Sequence, residues 1–162
     1  MLVELNNLSS TKQTEPAPSW TKVSAYSKGS QLFILGTRAW NQAAKHHKCI
    51  YEVLHPTHAR LGCTAALPYL DELMCILALA ASRPVLINCP HGELVSEDEL
   101  QLLKVLEALQ EFDVSKAQRE LTVLLRGPLN HSFRRAAQDY VLILRAEGMR
   151  IKAFPVLASI KT

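Results

Sequence analysis

The feature that most constrains this chain is the stretch from Leu61 to Gln110, which holds two apolar helical patterns joined by a short link. Apolar residues recur in both patterns at steps of three and four, the spacing that places them on one face of a helix. The link contains the tetrapeptide Cys89–Gly92 (CPHG), where reactive side chains crowd together. The stretch therefore predicts two central helices, with the rest of the chain folded to cover them.

Length and composition predict one globular domain. The chain has 162 residues, 48% hydrophobic and 20% charged, and is long enough to bury a sizeable core. Its longest apolar run, residues 74–81, is too short to cross a bilayer, and its first residues lack the apolar core of a signal peptide. We expect a cytoplasmic protein with a flexible N-terminal segment at residues 1–19, followed by a helical domain at residues 20–162.

Apolar periodicity, together with proline and glycine, divides that domain into about five helices. This predicts an all-α bundle. The expected helices run from near Ser30 to before Pro56, from Leu67 to before Arg83, from Ser96 through Leu109, from Ser115 to Leu125, and from Asn130 or Ser132 to Gly148.

The connections between these helices are also interpretable. His55–Gly62 is expected to form a turn, and both Gly62 and Gly92 are expected to take left-handed backbone angles. Val85–Ile87 is interpreted as an extended link in preference to a strand. Residues 151–162 are expected to form an extended C-terminal arm. Its packing residues would be Phe154, Val156, Leu157 and Ile160.

Two helix starts carry a capping signal. Ser96 and Glu99 have the spacing of a capping box, with apolar residues at the flanking hydrophobic-staple positions. Ser115 and Gln118 repeat the box spacing. The first pattern predicts where the third helix begins, and the second predicts the start of the fourth.

Two residues of the first predicted helix need an explanation. Gly36 is costly in mid-helix unless another backbone approaches it closely. His47 falls within the apolar stripe, and we interpret it as a boundary histidine with a hydrogen-bond partner, not as a catalytic base.

Metal binding around Cys89 and His91 is the strongest candidate for chemistry. Cys63, His55 and His58 are weak further candidates, which would complete a zinc set if the histidine-rich turn folded against the link. The spacing argues against this site, because Cys-x-His has low specificity and no second tight pair accompanies it. We therefore expect no metal and no other cofactor.

Cysteine catalysis is the next candidate. Cys89 lies ahead of a helix start and His91 is two residues away, but residues two apart seldom face each other productively. No P-loop, HExxH motif or serine elbow is present. We expect no enzymatic activity. The four cysteines, Cys89 included, are expected to be free and mostly buried thiols.

Charge is distributed unevenly beneath a net charge of +3. Residues 61–112 hold two Lys and Arg against eight Asp and Glu, whereas residues 113–162 hold nine against four. Residues 20–60 hold six Lys and Arg against one Glu, so two basic segments flank an acidic one. Either these segments neutralise each other when packed together or across a dimer, or the basic residues form a nucleic-acid surface in which the fifth helix reads DNA, in outline like a winged helix-turn-helix. The candidate DNA-contacting residues are Lys116, Arg126, Arg134 and Arg135.

The second predicted helix is apolar nearly all round, more than one side of a small bundle requires. Surplus apolar helix face is commonly buried in a homodimer or against a partner. We therefore predict a small helical regulatory or protein-interaction module without catalysis. A DNA-binding transcriptional regulator and a small zinc-binding helical protein are the alternatives.

Overall fold

A computed structural model describes residues 21–156, and within that range it confirms the all-α prediction. Six α-helices form one bundle, and no helix among the described residues is long and apolar enough to cross a membrane. The segment predicted to be flexible, residues 1–19, lies outside the described residues. The helices are α1 (Lys28–Lys45), α2 (Ile50–Arg60), α3 (Leu67–Ala80), α4 (Glu97–Gln110), α5 (Val114–Leu121) and α6 (Asn130–Ala146).

The first predicted helix is in fact two helices. His47 takes a left-handed φ of 52°, and the Lys48 N–H donates to the Ala43 carbonyl at 2.9 Å. This is a Schellman ending, which satisfies the last carbonyl groups of α1 and turns the chain. The interpretation of His47 as a boundary histidine in an apolar stripe was therefore wrong, since its side chain is exposed and its backbone ends the helix.

α2 continues through most of the stretch that was expected to be a turn. Pro56 lies inside α2 and does not end a helix. Pro56 and Glu52 are both exposed, so water can reach the Glu52 carbonyl that a proline at position 56 leaves unpaired. α2 ends at Arg60, and Gly62 just beyond it has a φ of 70°, an unusual backbone angle as predicted for this glycine.

The two capping predictions had opposite outcomes. The box at α4 is confirmed, because Ser96 Oγ accepts from the Glu99 N–H at 3.1 Å and Glu99 Oε2 accepts from the Ser96 N–H at 2.8 Å. The prediction for Ser115 was wrong: α5 is capped by Asp113, which accepts from the Lys116 N–H at 3.0 Å. α4 ends in a Schellman turn just before Asp113, and this turn sets the start of α5.

α6 packs against both α3 and α4, the pair predicted to be central. α4 is buried along most of its length. α6 starts at Asn130 with no side-chain cap from Asn130 or Ser132, and Gly148 follows its end as predicted. The residues predicted for its apolar face are all buried: Phe133, Ala137, Tyr140, Val141 and Leu144.

The C-terminal arm packs through its backbone as well as its side chains. The Ile151 N–H donates to Gln110 Oε1 at 2.8 Å, and Ile151 and Ala153 are buried. These are not the residues predicted to pack, because side chains alternate along an extended segment. Of the predicted set, two are exposed and two lie outside the described residues: Phe154 and Val156, then Leu157 and Ile160.

Two glycines of α1 allow close packing. A Cβ on Gly36 would lie 2.9 Å from Leu70 Cδ2, so the neighbour is a side chain and not the backbone that was expected. A Cβ on Gly29 would lie 2.5 Å from the Arg150 carbonyl oxygen. The backbone approach predicted at Gly36 therefore occurs two turns earlier, where the C-terminal arm crosses α1.

Candidate functional site

The link between α3 and α4, residues 81–96, is bound to the first turn of α4 by hydrogen bonds. Asp98 accepts two hydrogen bonds from the Arg83 guanidinium, at 2.7 and 2.8 Å, and one from the Leu86 N–H at 2.7 Å. The bonds from Arg83 hold the pKa of Asp98 below its ordinary value, although burial opposes this. Ser96 Oγ donates to the Leu86 carbonyl at 2.5 Å. Residues 83–86 are thus held at a defined distance from α4.

A fully buried arginine, Arg38, binds the link through its backbone carbonyls. Arg38 Nε and Nη2 donate to the two carboxylate oxygens of Glu99, at 2.7 and 2.8 Å. The remaining donors bind the carbonyls of Gly92 and Leu94, both at 2.6 Å, and of Cys89 at 3.4 Å. All five guanidinium N–H groups therefore have a partner, which a buried charge requires.

The CPHG tetrapeptide is a turn around this arginine. The Gly92 N–H donates to the Cys89 carbonyl at 3.0 Å. Gly92 does not have a positive φ, contrary to the prediction; a Cβ there would lie 3.2 Å from the Cys89 oxygen. Cys89 is exposed, so the prediction of a buried thiol was wrong, and the fold uses its carbonyl. Of the other free cysteines, Cys63 is buried, but Cys49 and Cys75 are also exposed.

The weak metal candidates are spread over the molecule. His58 and Cys63 are buried at the end of α2, His55 is exposed on α2, and Cys89 and His91 are exposed on the turn. Among residues 21–156, no group of three His, Cys, Asp or Glu side chains is arranged to hold a metal ion. The structure gives the zinc hypothesis no support.

His58 and its neighbours form a buried polar group. His58 Nδ1 lies 3.1 Å from the Leu54 carbonyl, which can only accept, so Nδ1 carries the proton. Its Nε2 and the Tyr140 hydroxyl have no hydrogen-bond partner among the described residues. Burial lowers the pKa of His58 and raises the pKa of Tyr140 and of Cys63. Each of these pKa shifts favours the neutral form of the side chain, as expected for groups packed in the interior.

A cleft of about 380 Å³ lies between α1, α3 and the link, and we call it the link cleft. Its wall on α1 is Trp40, whose indole Nε1 donates to Asp71 Oδ1 at 2.7 Å and is thereby held in one orientation. Among its described lining residues, Arg83 alone is ionisable. The full lining is Trp40, Asn41, Met74, Leu77, Ala78, Ala81, Arg83, Pro84, Val85 and Ile87.

Sequence reasoning pointed to α3 but not to the cleft. On this helix, Leu79 has 85% of its surface exposed, but it does not line the cleft. Trp40 lies 34 residues before Met74 in the chain, so no local pattern indicated that the two line one cleft.

The candidate DNA-contacting residues have unequal exposure. Arg126 and Arg135 are exposed, whereas Arg134 is half-buried and donates to Gln118 Oε1 at 3.1 Å. Lys116 is half-buried near the start of α5. α6, the predicted recognition helix, packs against α3, α4 and α5.

Comparison of the chain with protein-family models, with curated proteins and with solved structures returned no match.

Proposed function

We propose that this protein is a helical interaction module without catalysis, and that it binds a protein partner through the link cleft. The observation that carries the proposal is the chemistry of the cleft. Most of its lining residues are apolar, they come from three separate segments, and its one ionisable side chain, Arg83, is already paired with Asp98. An apolar concave surface with few polar groups is typical of a binding site.

Two exposed apolar residues that do not line the cleft, but belong to the segments that form it, support the same function. Leu79 on α3 is 85% exposed and Leu86 on the link is 60% exposed. Exposed apolar side chains contribute to the free energy of binding when an interface covers them. The partner is a different protein or a second copy of the chain, and sedimentation equilibrium over a range of protein concentrations separates the two.

Charge inserted into the cleft tests the proposal. The full chain is cross-linked in its own cells, the captured partner is identified, and its affinity is then measured with both proteins purified. We expect Ala78→Glu to weaken binding at least tenfold. Ala59→Glu is the matched control, because Ala59 is also exposed in the last turn of a helix but does not line the cleft. Equal affinities for the two variants would contradict the proposal.

A DNA-binding function is the second candidate, and the exposed Arg126 and Arg135 support it. Its support is weaker because Arg134 is engaged with α5 and α6 is covered by its neighbours. The measurement is binding to a fluorescent duplex at several salt concentrations. Affinity that falls steeply with salt, and that is lost in the Arg126→Ala and Arg135→Ala double variant, would favour this candidate.

A further inference from the structure

We propose that the link cleft takes an extended peptide segment of a partner protein, which adds as a strand to Val85–Ile87 and inserts uncharged apolar side chains beside Trp40. The proposal rests on the function proposed above and specifies its ligand. It depends on the backbone of the link, on the side chains that alternate along it, and on the charge around the cleft.

The backbone groups of the link alternate between two sides. The N–H groups of Leu86 and Asn88 donate to Asp98 and Glu99, at 2.7 and 3.1 Å. The N–H and C=O groups of Val85 and Ile87 form no hydrogen bond with residues 21–156. Because successive groups of an extended chain point to opposite sides, those of Val85 and Ile87 face away from α4. They form an unpaired edge, which a second extended chain can complete.

The edge is held in position at both ends. The Ser82 N–H donates to the Leu124 carbonyl at 3.0 Å, and the other end is held through Gly92 and Leu94 by Arg38. An edge that is already ordered loses little further conformational entropy when a ligand binds. This rigidity favours the link as a template for a strand.

The side chains follow the same alternation. Val85 and Ile87 line the cleft, whereas Leu86 between them is 60% exposed and does not. A strand added beside them would direct every second side chain toward the cleft. The floor that those side chains would meet is formed by Met74, Leu77 and Ala78.

Charge restricts which side chains fit. The guanidinium of Arg83 is bound by Asp98 with an N–O distance of 2.7 Å, so it is already neutralised within the protein. Moving an unpaired charge from water into an apolar cleft is costly. The complementary peptide therefore carries uncharged aliphatic residues at the alternate positions that face the cleft.

The test is selection from a phage-displayed library of random heptapeptides on the full chain, followed by affinity measurement with synthetic peptides. We expect enriched peptides with aliphatic residues at alternate positions. N-methylation of an amide that pairs with the edge should weaken binding at least tenfold, whereas N-methylation of the next amide should not. The variant Ile87→Pro, which removes an N–H that the fold does not use, should weaken binding to a similar degree.

Several results would overturn the proposal. These are a library that yields no cleft-dependent peptide, aliphatic residues at the helical spacing of three and four, and binding that is indifferent to N-methylation. Occupation of the edge by a second copy or by residues 1–20 of the same chain would also overturn it. If Ile87→Pro fails to fold, the N-methylated peptides still decide the question. A partner sensitive to Ala78→Glu but bound without main-chain pairing would refute this inference and leave the proposed function intact.

Discussion

Arg38 on α1 and Glu99 on α4 form a fully buried ion pair, 61 residues apart in sequence, that joins two helices and the link between them. Glu99 also completes the capping box of α4 and accepts from the Asn88 N–H. One carboxylate therefore sets the start of a helix, neutralises a buried arginine and positions the link.

Removing the Arg38 guanidinium is expected to lower the free energy of unfolding strongly. Arg38→Met leaves the buried Glu99 carboxylate without its cation and removes the donor to the Gly92 carbonyl, so we expect the free energy of unfolding to fall by about 3–5 kcal/mol. Urea unfolding followed by circular dichroism measures it. Arg83→Met is the control, because that side chain is 49% exposed and water screens its ion pair with Asp98, so the loss of stability should be clearly smaller. Equal losses would refute the role assigned to Arg38.

His47 and Phe112 both end a helix with a left-handed backbone angle, at φ of 52° and 61°. Glycine adopts this conformation without the steric cost of a Cβ, so His47→Gly should raise the free energy of unfolding by about 0.5 kcal/mol. Ala44→Gly, inside α1 and equally exposed, should lower it by about 1 kcal/mol. Thermal unfolding of both variants checks this difference in sign.

The same turns explain what sequence reasoning achieved and what it missed. Gly148 marked the end of α6 correctly because glycine is the usual residue just beyond a helix end. The break at His47 was missed because a histidine occupies that position and the apolar spacing continues beyond it. The capping box at Ser96 was predictable because its hydrogen bonds are local.

The site was less predictable than the fold. The pairing of Arg38 with Glu99 links distant positions, and the one local signal was that Arg38 follows the buried Ile34 by one helical turn. The cysteine and histidine of the CPHG turn suggested reactive chemistry. The groups that stabilise the fold are instead the carbonyls of Cys89 and Gly92, which accept hydrogen bonds from Arg38. The link cleft arises from packing between three segments, which no local pattern encodes.

Stability should depend on pH through His58. Burial lowers its pKa in the folded protein below the ordinary value of 6.5, so the unfolded chain binds more protons as the pH falls. The contribution of neutral His58 is fully present above about pH 6.5 and is lost below it, by up to about 1.4 kcal/mol per pH unit. Urea unfolding from pH 8 to pH 5 should show this loss in the wild type.

Two histidine variants test whether His58 causes that pH dependence. His58→Gln should remove most of it, whereas His91→Gln, which alters an exposed histidine, should keep it. If the wild type and His58→Gln lose stability in parallel between pH 7 and pH 5, His58 is not the group responsible.

The crossing of the C-terminal arm over α1 depends on Gly29. Gly29→Ala would place a methyl group 2.5 Å from the Arg150 carbonyl oxygen, so the backbone must shift, and we expect a loss of about 1–3 kcal/mol. Gly36→Ala should cost less, because its closest neighbour is the end of the Leu70 side chain, which can move. Limited proteolysis of residues 149–156 should be faster in the first variant only.

Amide hydrogen exchange along the link tests the central claim most directly, namely that α4 holds one side of the link and leaves the other side free for a partner. In the free protein, the amides of Leu86 and Asn88, bound by Asp98 and Glu99, should exchange slowly. Those of Val85 and Ile87 should exchange rapidly, and should slow when the partner or a selected peptide is bound. Slow exchange at Val85 and Ile87 in the free protein, or no change on binding, would contradict the account.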